Sequence, residues 1–106
     1  MTEVATKKLL ENDRVIVWEL LLQPGEETGM HTHEHDYIVH VIEGSTLRAT
    51  DPKDSPPKDI PLAAGDTFYF RVADGVALAG DLETSTTHNA ENVGPGVYSE
   101  IMVEVK

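Results

Sequence analysis

The fold of this 106-residue chain is decided by positions 25–44, which read GEETGMHTHEHDYIVHVIEG. Four of the five histidines lie between positions 31 and 40. In a β-strand, residues two positions apart point to the same face, about 6.6 Å apart at Cα. His31 and His33 can therefore aim imidazole nitrogens at one metal ion, with bonds of about 2.0–2.1 Å if that ion is zinc.

A simpler interpretation of the same histidines is a solvated one. An acidic surface loop would present several imidazoles to water as groups that titrate near neutral pH. On a helix, His31 and His33 would lie on nearly opposite sides, so chelation needs the strand that the neighbouring residues predict. A metal site and a solvated loop both stay open on this pattern alone.

Strand signals dominate the rest of the chain. Runs of apolar, β-branched and aromatic residues occupy positions 15–22, 37–42, 46–50, 67–72 and 97–105, with turn residues between them. The last run alternates four apolar residues with Glu100 and Glu104 over its later part. Five or more short strands joined by turns predict an all-β sandwich or barrel.

Three segments give weaker signals. Residues 2–11 hint at a helix, and the proline-rich stretch 51–61 is typical of a loop. Residues 74–93 are rich in Gly, Thr, Ser and Asp and show little periodicity. A loop of that length is unusual in a compact domain, so the segment either hides short strands or is a functional loop.

Composition limits the classes of function. Eight Lys and Arg against nineteen Asp and Glu give a formal net charge of −11, which predicts neither a nucleic-acid nor a membrane partner. The absence of cysteine excludes a disulfide scaffold and a zinc–thiolate site. No apolar run approaches the roughly 20 residues of a spanning helix, and the N-terminus lacks a signal-peptide pattern, so we expect a cytoplasmic protein.

The spacing of glycines around the histidine pair carries a family resemblance. Gly25, His31, His33, position 37 and Gly44 fall at the intervals of the first motif of the cupin superfamily. The second cupin motif, which runs from a glycine to a histidine followed by asparagine, is similar to the segment from Gly65 to His88 and its neighbouring asparagines.

The cupin resemblance covers roughly residues 15–105. It implies an all-β double-stranded β-helix, or jelly-roll barrel, in a single domain spanning 1–106. The barrel core would occupy about 15–105, with a peripheral N-terminal segment at 1–12. Among cupins, the sequence is most similar to small single-domain bacterial members associated with β-alanine degradation, through positions 24–25 and 36–39.

Two departures from the cupin pattern matter. Tyr37 stands where many cupins place a glutamate ligand. The second motif lacks its usual Pro-x-Gly, and the gap from Gly65 to His88 is longer than in the family. An insertion there would lie near the barrel mouth and could act as a lid.

The resemblance implies His31, His33 and His88 as ligands of one divalent transition metal ion: Fe, Zn, Mn or Ni. Beside Asn89, His88 could instead cap a turn. A shell of three neutral histidines leaves the full charge on the metal, which favours anionic substrates or oxygen at the open positions. The Irving–Williams order prevents naming the native metal from the ligand set.

Three further residues are candidates for substrate binding. Tyr37 could ligate as phenolate, donate a hydrogen bond to substrate, or pack in the core. Arg71 could pair with a substrate carboxylate or lie in solvent. Tyr69 alternates with two phenylalanines, so one parity lines the pocket, and the sequence does not say which.

The remaining two histidines have different expected positions. His35 shares parity with the His-x-His pair, so a fourth ligand or a proton shuttle is open to it, and an exposed polar position is the default. His40 has the opposite parity and is expected to face away from the metal in a structural role.

Two functions from different classes fit these expectations. The first is a metalloenzyme acting on a small polar organic molecule, with an oxidoreductase of the three-histidine dioxygenase type ranked first by resemblance. The second is a non-catalytic, metal-dependent binding or accessory protein. No general base is evident beside the metal, because Glu34 and Asp36 have the wrong parity, which weakens hydrolytic or proton-transfer chemistry.

Assembly is expected to be homodimeric. The run 15–22 is apolar at nearly every position, more than a strand covered on one side requires. Trp18 within it fits a core or a dimer interface. A third reading of the whole chain, a structural interaction protein without an ion, would make the cupin spacing accidental.

Overall fold

The computed structural model describes residues 3–53 and 55–106. Across those ranges the chain forms β-strands only, and it contains no helix long and apolar enough to cross a membrane. In chain order the strands are β1 (Lys7–Glu11), β2 (Val15–Leu22), β3 (His31–Thr32), β4 (Asp36–Glu43), β5 (Ser45–Thr50), β6 (Lys58–Leu62), β7 (Thr67–Ala73), β8 (Val76–Ala79), β9 (Leu82–Ser85), β10 (Thr87–Asn92) and β11 (Tyr98–Val105).

The strands form two antiparallel sheets. One has the order β1-β2-β11-β4-β7-β8-β9, and the other has the order β3-β10-β5-β6. Because neighbours in each sheet are often distant in sequence, the chain winds back and forth between the two layers. The structure confirms the all-β jelly-roll barrel, and β2, β4, β5 and β7 match the expected strands to within one residue.

The core lies between the facing sides of the sheets and is built by alternation along the central strands. On β2, Trp18, Leu20 and Leu22 are buried while Leu21 is exposed. Across the ladder Trp18 pairs with Met102, which in turn pairs with Val39, so one apolar row crosses three strands. Burial of these side chains supplies most of the driving force for closing the two layers.

The inward face of β11 is the opposite of what its sequence alternation suggests. Tyr98, Glu100, Met102 and Glu104 are buried, whereas the intervening Ile101, Val103 and Val105 are only partly buried. The aromatic ring of Tyr98 and the thioether of Met102 fix this parity, because both belong to the core cluster. Both glutamates are therefore carried inside, where Glu104 accepts a hydrogen bond of 2.5 Å from Nε1 of Trp18.

The three weak segments also prove to contain strands. Residues 7–11 form β1 along β2 rather than a helix, while residue 2 of that expectation lies outside the described residues. The expected loop 51–61, whose residue 54 is likewise outside them, gives way at Lys58 to β6, which pairs with β5. Both are cases in which pairing with a neighbouring strand overrides a weak local preference.

Residues 74–93 contain short strands, of which β8 and β9 extend the larger sheet. A turn at Asp74 and Gly75, both with positive φ, connects β7 to β8, and β9 then pairs antiparallel with β8. The chain crosses to the other sheet as β10. The length that separates Gly65 from His88 is thus taken up by a hairpin at the edge of the sheet.

Candidate metal centre

The smaller sheet brings His31 and His88 together directly. His31 opens β3, which pairs with β10 so that His31 and His88 are partners across the ladder. His33 follows the end of β3, and its backbone N–H donates to the carbonyl of Thr86 at 2.8 Å. The two ends of the cupin-like pattern therefore meet through backbone pairing, although His31 and His88 are 57 positions apart in the sequence.

The three imidazoles form a compact triangle inside the protein. Their ring centroids are 4.9 Å (His31–His33), 4.7 Å (His31–His88) and 5.0 Å (His33–His88) apart. Each ring offers a nitrogen that lies within 4.8 Å of the other two. All three side chains are buried, so the sequence alternative of solvated surface histidines is wrong.

Backbone carbonyls orient two of the rings. Nδ1 of His31 lies 2.9 Å from the carbonyl oxygen of Gly29, and Nδ1 of His88 lies 2.6 Å from that of Ser85. A carbonyl only accepts, so both Nδ1 atoms carry the proton and donate. The lone pair of each ring is then on Nε2, the arrangement in which histidine binds metal while its other nitrogen is held by a second group.

The third ring carries an unpartnered nitrogen. Nδ1 of His33 is buried and has no hydrogen-bond partner. Leaving a buried polar atom unpaired is unfavourable, so such an atom is expected to have a functional reason. The donor set, three imidazoles without a thiolate or carboxylate, is suited to Zn, Fe, Ni or Mn. These residues fit a transition metal.

Burial keeps the cluster uncharged. Loss of water lowers the pKa of His31, and it lowers the pKa of His33 to about 2 and of His88 to about 4. Repulsion from the neighbouring imidazoles adds to the shifts of His33 and His88. All three rings are neutral at physiological pH, which is the protonation state that ligates a metal cation.

The histidines line a cavity of about 90 Å³. Residues of both sheets form it, and most of its wall is apolar, including Leu20, Val39, Leu47, Phe68 and Phe70. This volume is below the roughly 150 Å³ of an engineered apolar cavity that binds benzene. A ligand enclosed here has only a few non-hydrogen atoms.

Tyr37 lies beside the histidines in the same cavity. Its ring stacks on His33 at 4.1 Å on one side and on Phe70 at 4.8 Å on the other. Burial, with the carboxyls of Glu100 and Glu104 nearby, raises its pKa above the usual range. The hydroxyl therefore keeps its proton, so Tyr37 can donate a hydrogen bond into the cavity, and a phenolate ligand is disfavoured.

Glu100 is the site residue that the sequence analysis missed. It lines the cavity with the histidines and is only 4% exposed. Oε1 accepts a 2.6 Å hydrogen bond from the hydroxyl of Tyr98, while Oε2 is buried without a partner. Burial raises the pKa of Glu100 to about 7. An acid–base group therefore does stand in the cavity, contrary to expectation.

The other candidate residues lie away from the cavity. Tyr69 is 48% exposed and donates a 3.1 Å hydrogen bond to Asp36. Arg71 has the same parity on β7 and is exposed. Phe68 and Phe70 hold the inward positions of that strand, so the structure does not bring Tyr69 or Arg71 to the histidines.

Of the two histidines outside the triangle, His40 follows its parity, whereas His35 stays out of the three-histidine group although it shares the parity of His31 and His33. His35 is partly buried and does not belong to the three-histidine group. His40 is exposed on β4, with Nδ1 2.8 Å from the hydroxyl oxygen of Thr67.

Comparison with known proteins agrees with this architecture. No family model matches the chain. Over 64 residues the chain is 42% identical to the β-alanine degradation protein BauB of Pseudomonas aeruginosa, a match that covers 60% of this chain and 64% of that protein. The match therefore spans less than two thirds of the relative's length.

Solved structures show the same fold. A cupin domain from Bordetella pertussis superposes with a TM-score of 0.73 at 24% identity, covering 94% of this chain and 90% of that one. An RmlC-like cupin with a double-stranded β-helix fold from Methanocaldococcus jannaschii gives a TM-score of 0.62 at 16% identity, over 93% and 76% of the two chains. The polyketide cyclase RemF of Streptomyces resistomycificus gives 0.58 at 16% identity, over 93% and 62%.

Proposed function

The chain has the cupin double-stranded β-helix fold, and on that premise we propose that it binds one divalent transition metal ion through His31, His33 and His88 and acts on a small polar organic molecule. The observation that carries the proposal is the buried triangle of neutral imidazoles, two of which have Nδ1 tied to a carbonyl. A metal would supply a partner for the nitrogen that remains on each of these rings.

In this proposal the metal, Tyr37 and the apolar wall of the cavity have different roles. A divalent transition ion, when bound, supplies open coordination positions and, if it is redox-active, electrons for oxygen chemistry. Tyr37 donates a hydrogen bond that orients the ligand, and the stacked rings of His33 and Phe70 hold its hydroxyl in place. The apolar wall excludes water and strengthens each polar contact.

Dioxygenase activity of the three-histidine type is our first candidate reaction. It is supported by the resemblance to three-histidine cupins and by a donor group without a carboxylate, because a neutral shell leaves the full charge on the metal. The fold by itself does not select oxidation, since a polyketide cyclase shares it. The assignment therefore depends on measurement of turnover.

A non-catalytic binding protein is the second candidate. The small volume of the cavity and the near-complete burial of its histidines are compatible with it, because such a site can hold a small ligand without transforming it. In this case the metal would hold a small molecule for another component of a catabolic pathway.

One experiment separates the two candidates. Protein purified without a histidine tag is analysed for metal, loaded with Fe(II), and followed by oxygen uptake with small thiols, β-diketones and carboxylates. Oxygen uptake that depends on both metal and substrate supports the dioxygenase. Metal and ligand binding without turnover supports the binding protein, and absence of metal binding contradicts both.

We also propose that the protein is a homodimer. Leu9 and Leu10 on the edge strand β1 and Leu21 on β2 are exposed in a chain with a net charge of −11. Exposed apolar side chains next to an unpaired strand edge are a common way for two copies to associate. Location in the cytoplasm stays a prediction from the sequence.

A further inference from the structure

The cavity contains one acidic side chain among the described residues that line it, and that side chain is Glu100. It lies on β11 between Leu20 of β2 and Val41 of β4, its partners across the two ladders. Among the described residues, the hydroxyl of Tyr98 donates a hydrogen bond to Glu100, and Tyr37 lies near enough for the carboxyl to raise the pKa of Tyr37. Burying a carboxyl group in the apolar wall of a cavity that a metal-ligand cluster also lines is costly, so its presence needs a reason.

The hydrogen bond from Tyr98 satisfies only one of the two oxygen atoms of this carboxyl group. The hydroxyl of Tyr98 donates to Oε1 at 2.6 Å, and Oε2 remains buried without a partner. The neighbouring glutamate on the same strand differs, because Glu104 receives the Nε1–H of Trp18 and does not line the cavity. The free oxygen of Glu100 is thus an acceptor that a ligand's donor group would satisfy.

We propose that Glu100 recognises a primary ammonium group on the ligand, whose anionic end is held at the three-histidine centre. The inference rests on the proposed function, since it uses the metal as the partner of the anionic end. With a divalent ion at one position and a carboxylate at the other, the cavity offers opposite charges to a single small molecule. A short amino-carboxylate or amino-thiol has the matching pair of groups.

The size of the cavity narrows the class further. About 90 Å³ admits a ligand smaller than benzene, which corresponds to a chain of a few carbon atoms between the two charged ends. Leu20 and Phe68 belong to the apolar wall of this cavity, so we expect α-amino acids with bulky side chains to bind poorly.

The test uses two pairs of probes that differ only in the amine: glycine with acetate, and 3-aminopropanoate with propanoate. Binding to the zinc-loaded protein is measured by calorimetry at pH 8, where Glu100, with a pKa of about 7, is ionised. For at least one pair we expect the amine to bind about tenfold tighter than the matched carboxylate, because a hydrogen bond to a charged group adds that much affinity.

Glu100→Gln removes the charge and keeps an oxygen that accepts the hydrogen bond from Tyr98. In this variant the preference for the amine should fall to about one, with unchanged zinc content. Glu104→Gln is the matched control and should keep the wild-type preference. If Glu100→Gln does not fold, Glu100→Met is the second variant, because an apolar side chain of similar length suits a buried position.

Several results would overturn the inference. Equal binding of each pair by the wild type, or an amine preference that survives in Glu100→Gln, would reduce Glu100 to a structural partner of Tyr98. Tighter binding of the plain carboxylates would show that Glu100 acts as a neutral donor. Absence of zinc from the wild type would instead remove the proposed function, and this inference with it.

Discussion

The chemistry of the centre is set by what each single side chain touches. His31 and His88 have their tautomers fixed by the carbonyls of Gly29 and Ser85, and burial removes the charge from all three rings. Burial raises the pKa of Glu100 and so favours its neutral, protonated form. The protonation states of the site therefore depend on desolvation more than on ion pairs.

Stability at different pH values reports on Glu100 directly. Its pKa is raised from 4.5 to about 7, so the folded protein holds a proton that the unfolded chain releases between these values. The resulting stability is fully present below pH 4.5 and is lost as pH rises through 7. Glu100→Gln, which never ionises, should therefore gain about 2 kcal/mol relative to the wild type between pH 5 and pH 8.

This comparison uses urea unfolding of metal-free wild type and Glu100→Gln at both pH values. Since the three histidines are common to the two proteins, their own pH dependence cancels in the difference. A difference in unfolding free energy that does not change with pH would show that Glu100 is already ionised at pH 5.

At the residue scale, strand periodicity shows which side chains share a face but not which face is buried. The sequence therefore predicted the histidines and missed Glu100. The side-chain period of a strand places His31 and His33 on one face, and the cupin resemblance was needed to add His88 and to favour a metal site over a solvated loop. On β11 the period is equally clear, but it does not say which parity is inside. Tyr98 and Met102 decide it, and the pattern of valines and isoleucine suggested the other face.

At the scale of elements, the glycine that ends the first cupin-like motif lies against the backbone of a neighbouring segment. Gly44 lies between β4 and β5, where a Cβ atom would come within 2.4 Å of the carbonyl oxygen of Leu62 and 2.9 Å of Cα of Ala63. Both contacts are with backbone, which cannot swing aside as a side chain can. This glycine of the first motif is therefore required by packing.

Gly44→Ala should destabilise the protein by about 1–3 kcal/mol, the usual range for forcing extra volume into a packed site. The matched control is Gly96→Ala, because a Cβ there meets nothing within 4 Å and φ is not positive. That variant should change the unfolding free energy by less than about 0.5 kcal/mol. Thermal unfolding of both proteins measures the effect, and equal stability of the two would contradict the packing argument.

Elements with strong local signals were predictable and those stabilised by pairing were not. β2 is apolar enough to be recognised alone, and its observed bounds match the expected ones. β1 and β6 carry charged residues and proline, and they become strands because β2 and β5 offer them free edges. The hairpin of β8 and β9 was hidden because its strands are only four residues long.

At the scale of the whole molecule, the two sheets enclose the site while one edge exposes apolar side chains. Leu10 on β1, at one end of the larger sheet, is 49% exposed. Leu78 on β8, near the opposite end of that sheet, is 45% exposed. If β1 and β2 form the dimer interface, a charge on Leu10 should disrupt it and a charge on Leu78 should not.

Sedimentation velocity at micromolar protein should show a dimer for the wild type and for Leu78→Glu. Leu10→Glu should sediment as a monomer, because an unpaired carboxylate buried in an interface costs more than the apolar contact it replaces. A monomeric wild type, or a dimeric Leu10→Glu, would contradict the proposed interface.

Retention of the fold without the ion is a second expectation at this scale. The core of Trp18, Leu20, Val39 and Met102 is a cluster of buried apolar side chains, and its burial from water does not require an ion. His31→Ala should therefore lower the melting temperature of the metal-free protein only modestly. Global unfolding of that variant would show that the histidines are structural.

Metal content is the most direct measurement of the central claim. Wild-type protein and His40→Ala, which alters an exposed histidine outside the triangle, should each retain about one divalent ion per chain after incubation with transition-metal salt and desalting. His31→Ala and His88→Ala should each retain less than about a tenth of that amount, since loss of one of three ligands removes most of the affinity. Wild-type occupancy in His88→Ala, or no ion in the wild type, would contradict the account.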